Sequence, residues 1–184
     1  ARVGDFVMAP GYTDYNKRIQ YQTYDVTDMV LEGNNTLTVD LADGWYRGSV
    51  GAWGVLSWYG TQTKFIAQLE MTFEDGSTEC IITDDSFKWS NDGPIEFADN
   101  KDGERVDARK TPSYGGKARV AIHDVVPSAS NNVKVCEHET FKPAELITTP
   151  SGKKVIKFPQ NIAGFISFKI NAHEGQYIRL LCGE

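Results

Sequence analysis

Alternation with a period of two is the feature that most limits what this chain can become. In "FIAQLEMTF" (65–73), Phe65, Ala67, Leu69, Met71 and Phe73 fall on one side, with Gln68, Glu70 and Thr72 opposite. Successive side chains of a strand point to opposite faces, so this run is a strand, and Phe65, Leu69, Met71 and Phe73 are expected to be buried. "EDGS" (74–77) then offers Asp75-Gly76, a pair suited to a hairpin tip, and "TECIITD" returns. The same logic recurs in "GFISFKI" (164–170), the turn-rich "NAHEGQ" (171–176) and "YIRLLC" (177–182); "NNTLTVDL" (34–41) alternates through Leu37, Val39 and Leu41. Against this stands one candidate helical turn, "DVTDMVLEG", which Asp25 or Thr27 can cap and Gly33 can stop. Short strands between turn formers predict an all-β fold, an antiparallel β-sandwich or jelly roll.

A chain of 184 residues with 40% hydrophobic content can bury a real core. We expect one sandwich over residues 1–132, with 133–184 supplying further strands that complete it or start a second β unit. "DARKTPSYGGKARVAIHD" (107–124) is less regular and reads as a long surface loop or a seam. The formal charge of −6 argues against a nucleic-acid partner, whose phosphates want a basic face. No apolar run reaches the length of a helical membrane span. The opening Ala1–Asp5 reads as the interior of a domain, so the natural start is expected upstream. Cys80, Cys136 and Cys182 each sit in an apolar strand-like run and are expected as small core residues rather than a disulfide framework.

Most catalytic and metal motifs are missing. "CEHE" (136–139) puts Cys136 and His138 on one strand face but has no second pair at zinc spacing. His123-Asp124 lacks a serine on a nucleophile elbow. With 25 acidic residues, a carboxylate pair at glycosidase spacing arises by chance and nominates nothing. Two clusters stand apart. "DLADGWYRG" (40–48) sets an acid, two aromatics and an arginine at what reads as a strand end, where Trp45 and Tyr46 would face opposite sides. "KWSNDGPIEFADNKDGERVDAR" (88–109) packs six acids, two asparagines and two arginines among turn formers. Oxygen-rich loops suit calcium, and aromatic faces beside them suit a sugar. Solvated turns around a tryptophan plug fit the same composition. Trp53 and Trp58 are alternative sugar platforms.

Taken in order, these stretches resemble the amino-terminal β-sandwich region of bacterial α-L-rhamnosidases (glycoside hydrolase family 78). The likeness runs through Gly11-Tyr12-Thr13-Asp14-Tyr15, Tyr24-Asp25-Val26-Thr27 and Gly44-Trp45-Tyr46-Arg47-Gly48. It continues in "GPIEFADNKDGERVDAR" and "FPQNIAGFISFKI", with Lys157, Pro159 and Phe165 departing from the family's usual Asp, Gly and Trp. The resemblance implies a galactose-binding-like sandwich of the carbohydrate-binding-module type. It also implies that glycosidic cleavage belongs to a helical barrel following the β domains, so no catalytic residue is expected in this chain. The partners implied are that catalytic barrel, in the same polypeptide, and a rhamnose-containing glycan; a periplasmic or secreted location is favoured over a cytoplasmic one. In some relatives the sandwich is a calcium-dependent L-rhamnose-binding module. Carried over, that points to Asp43 and to Asn91 or Asp92, with the Pro94 carbonyl, as calcium ligands; Trp45, Arg47, Asn91 and Glu104 are the expected sugar contacts. Arg47 is expected to pair with Glu104 or Asp107.

Overall fold

The structure, a computed structural model, describes residues 1–131 and 133–183; Asn132, the last residue of the expected first sandwich, and Glu184 lie outside the described residues. Two compact units divide the chain, Ala1–Lys134 and Val135–Glu184. In the first unit the strands are β1 (Gln20–Tyr21), β2 (Gln68–Thr72), β3 (Thr78–Ile82), β4 (Lys88–Trp89), β5 (Ile95–Asp99), β6 (Gly103–Val106), β7 (Gly116–Lys117) and β8 (Ser128–Ala129). They pair two by two: β2 with β3, β4 with β7 and β5 with β6 antiparallel, and β1 with β8 parallel. The second unit contains β9 (Glu145–Thr148) and β10 (Lys154–Lys157), again antiparallel. Apart from a 3-10 turn at Thr27–Met29, the helical structure among the described residues is α1, Gly44–Arg47. The chain is all-β in class, as its alternation predicts.

The hairpin of β2 and β3 forms where the pattern places it, with Thr72 opposite Thr78 and Gln68 opposite Ile82. Its turn differs in detail. Gly76 alone takes the left-handed conformation (φ 82°), while Asp75 accepts the backbone N–H of Ser77 at 2.8 Å and its hydroxyl at 2.6 Å. The second unit repeats this device. The N–H of Thr149 donates to the Lys153 carbonyl, as Phe73 does to Ser77, and Gly152 takes φ 80° where Gly76 takes 82°. A residue with a Cβ resists that conformation, so the glycine fixes the turn and the turn fixes the register.

Burial is less than the pattern implies. Ala67, Leu69 and Met71 are half-covered while Gln68, Glu70 and Thr72 are exposed, so the alternation holds, but Phe65 and Phe73 are exposed. A two-stranded ribbon covers neither of its own faces; full burial requires a second layer. The expected loss for Leu69→Ala therefore falls below that of a fully packed leucine. "NNTLTVDL" carries no ladder, and neither do "GFISFKI" and "YIRLLC", although the turn between the last two forms, with Gln176 N–H donating to the His173 carbonyl at 3.1 Å. Alternation says which face a strand can bury but names no partner strand. All three cysteines are free; Cys80 and Cys182 are exposed rather than core, for the same reason.

The buried apolar residues among those described are Tyr15 and Val50, and the buried polar ones Ser49 and Asp99. All four lie in or beside the stretch that carries α1.

Candidate functional site

The "GWYRG" stretch is a single helical turn, not a strand end. Arg47 N–H donates to the Asp43 carbonyl at 2.9 Å and Gly48 N–H to that of Gly44 at 3.2 Å. Trp45 and Tyr46 thus project from one turn of helix. Strict alternation through "LTVDLADGWYRG" breaks at Ala42, and the two glycines bracketing the aromatics are the local cue to the turn. Arg47 pairs within the same turn, its Nη1 lying 3.4 Å from Asp43 Oδ1, rather than with Glu104 or Asp107. Four-residue spacing on a helix brings these two together before any distant acid can compete. Half exposed, the pair contributes only a few tenths of a kcal/mol. Asp107 is held by Arg109, whose Nε and Nη2 donate at 2.8 and 2.9 Å and keep its carboxyl down at about 2.

Behind α1 sits an aromatic cluster. Tyr15, 6% exposed, lies 5.0 Å from Tyr59 and 5.7 Å from Tyr46 between ring centres, and Tyr12 lies 5.6 Å from Trp45. The Tyr15 hydroxyl donates to the Gly11 carbonyl, and the Tyr12 and Tyr59 hydroxyls share a 3.1 Å hydrogen bond. Burial, then the nearby Tyr12, pushes Tyr15 up to about 12; the hydrogen bond with Tyr12, then burial, does the same for Tyr59. Because both folded values exceed the unfolded value near 10, the stability they contribute is complete below pH 10 and lost as pH climbs toward 12. Tyrosinate absorbance should show two of the eight tyrosines ionising late, together with loss of near-ultraviolet circular dichroism. Ionisation of all eight near pH 10 with the signal intact would count against the packed cluster.

α1 and the cluster form one wall of a cleft of about 340 Å³, lined by Tyr15, Asp40, Asp43, Trp45, Tyr46, Lys64, Asn100 and His123 among others. A second, shallower hollow of about 420 Å³ adjoins it through Met8, Ala42 and Asn100 and reaches Asp99 and Glu104. Met8, at the junction, takes φ 63°, a conformation bulky residues rarely adopt. Asp43, Trp45 and Glu104 therefore lie along one continuous depression. Trp53 (92% exposed) and Trp58 (63% exposed) line neither hollow. The expectations drawn from motifs did not include Met8, Tyr15, Asp99 or Asn100; they considered His123 only as a triad member.

The remaining expected residues lie elsewhere. Asn91 is exposed. Asp92 Oδ1 accepts from the N–H of Ser113 at 2.9 Å and from the Ser90 hydroxyl, which together hold its carboxyl below the usual range. The Pro94 carbonyl accepts the N–H of Asp107 at 2.8 Å. Asp43 N–H instead donates to the Ala98 carbonyl at 3.3 Å, near the other end of β5. Four residues of strand put Ala98 roughly 13 Å from Pro94. Among the described residues, no group of three or more His, Cys, Asp or Glu is positioned to hold a metal ion.

Fold and site together define an all-β domain with a small cleft lined by aromatic rings and by the carboxylates of Asp40 and Asp43. Comparison with known proteins then places it. Residues 1–144 match the family described as the α-L-rhamnosidase N-terminal domain. The chain is 36% identical to an α-L-rhamnosidase of Streptomyces avermitilis over 97% of its own length, and 34% identical to one of Formosa agariphila over 99%. It spans 18% and 21% of those relatives, about a fifth of each. A solved structure, the Streptomyces avermitilis α-L-rhamnosidase complexed with L-rhamnose, superimposes with a TM-score of 0.68 at 36% identity, covering 81% of this chain and 15% of that one. The chain belongs to the α-L-rhamnosidase N-terminal domain family, and its all-β sandwich class is that of this neighbour.

Proposed function

We propose that this chain is a non-catalytic β-sandwich module of an α-L-rhamnosidase, supporting the catalytic barrel of the same polypeptide and holding an L-rhamnose-containing glycan in the cleft beside α1. The observation that carries the reading is the cleft itself, where Trp45, Tyr15 and Tyr46 stand with Asp40, Asp43 and Asn100 around about 340 Å³. That volume admits a single pyranose ring. The ring's C–H face can lie against the aromatics, while carboxylate and amide oxygens accept from its hydroxyls. The reading works through direct hydrogen bonds from these side chains, and the calcium expected from the resemblance is the alternative that chelation decides.

Calorimetric titration with L-rhamnose tests this, run with calcium, then with chelator, in the parent and in Trp45→Ala. A shallow cleft supports a dissociation constant of about 1 mM, or ~−4 kcal/mol. We expect heat in the parent, little change with chelator, and at least a tenfold weakening in Trp45→Ala. Binding abolished by chelator would restore the calcium ligands expected from the resemblance. No heat in any condition would favour a purely structural interdomain module.

A further inference from the structure

We propose that Asp99 is the positioning residue of this cleft, its carboxylate clamping the wall that carries Asp43 and Trp45 to the wall that carries Asn100 and Glu104. Asp99 closes β5 and is 8% exposed. Its Oδ2 accepts the N–H of Ser49, two residues beyond α1, at 2.6 Å. Its Oδ1 accepts the N–H groups of Lys101 and Asp102, in the turn between β5 and β6, at 2.7 and 2.9 Å. One side chain therefore ties two segments 50 residues apart, and each segment supplies residues to the depression. The approach is close enough that a Cβ on Gly48 would stand 2.0 Å from Oδ2, which accounts for the glycine that ends Gly-Trp-Tyr-Arg-Gly.

A carboxylate is needed here for a definite reason. Donors reach Asp99 from both sides, so both oxygens must accept. Asparagine has the same shape but offers one acceptor, and its NH₂ would face either Ser49 N–H or the Lys101 and Asp102 pair. Asp99→Asn thus releases one wall while adding no bulk. Asp102→Ala is the matched control: it changes a side chain of the same turn but keeps the N–H that the clamp uses, whereas Lys101 is left in place because its Nζ contact to the Gly51 carbonyl ties the same two segments.

The affinity part of the test rests on the sugar-binding reading; the geometric part does not. With fluorinated tryptophan, the Trp45 ¹⁹F resonance, assigned by its loss in Trp45→Phe, should move in Asp99→Asn and stay in place in Asp102→Ala. L-rhamnose affinity should drop at least tenfold in the first variant and hold within twofold in the second. A residue that served stability alone would lower the melting temperature and leave the native Trp45 resonance unchanged. Should Asp99→Asn fail to fold, amide exchange in the parent decides: Ser49, outside any paired strand, should be protected like Lys101 and Asp102. Free exchange at Ser49, or an unmoved Trp45 resonance in folded Asp99→Asn, overturns the clamp. Absence of rhamnose binding in the parent overturns the ligand and leaves the clamp to the other two measurements.

Discussion

Replacing Gly48 by alanine should destabilise the first unit by about 2–4 kcal/mol, a large share of the roughly 5–15 kcal/mol available to a typical domain. The backbone itself is no obstacle, since φ is −74° and alanine adopts that freely. The obstacle is space. The new methyl would sit 2.0 Å from Asp99 Oδ2 and 2.4 Å from the Gly44 carbonyl oxygen. Neither neighbour moves without loss: the first accepts Ser49 N–H at 2.6 Å, and the second accepts Gly48 N–H at 3.2 Å to close the helical turn. Overpacking costs about 1–3 kcal/mol, and a buried hydrogen bond left unmade adds about 1–3. Gly115→Ala, where nothing lies within 4 Å of the added Cβ, gives the reference and should change stability by less than about 1 kcal/mol. Urea unfolding followed by tryptophan fluorescence reads both. Equal, small effects at the two positions would mean that Asp99 does not approach Gly48 as described.

What the sequence disclosed follows from how far each signal reaches. The β2–β3 hairpin was legible because alternation, a turn-forming acid and a glycine lie within a few residues of one another and act locally. Family membership was legible because several short motifs recur in order, a property of the whole string. The conformation of "GWYRG" was not, since strand-like alternation ran up to it and Asp99, which accepts the Ser49 N–H just past the turn, lies far along the chain. Arg47 was assigned a distant acid because residues 99–107 are rich in them; the structure gives it the acid four residues back, a contact that only a helix makes close. Asp99 itself sat unremarked among six acids of similar appearance. Nothing in "FADN" announces that its one carboxylate is buried and bound three times by backbone N–H groups.

Tyr15 is the residue whose loss should be felt furthest, and Tyr15→Ala is expected to cost about 3–5 kcal/mol. Tyr15 is the buried aromatic of the described residues, with Tyr12, Tyr46 and Tyr59 within 6.2 Å between ring centres. Edge-on and tilted ring pairs add about 0.5–1.5 kcal/mol each beyond the area they cover, so removing the centre of the cluster costs more than one side chain's burial. Tyr15→Phe separates packing from polarity. The ring contacts persist, while the Gly11 carbonyl loses its donor at 2.5 Å, so the loss should be about 1–2 kcal/mol. The phenylalanine variant carries a second signature. Burial holds Tyr15 neutral up to about 12, so its removal should take away part of the stability lost between pH 10 and 12 and flatten that limb of the profile. Tyr15 also lines the cleft with Trp45 and Tyr46, so Tyr15→Ala should widen it and weaken L-rhamnose binding where Tyr15→Phe does not. Chemical denaturation across pH, with calorimetry at neutrality, measures all three effects. A cost below about 1 kcal/mol for Tyr15→Ala would mean that Tyr15 is not packed at the centre of the cluster.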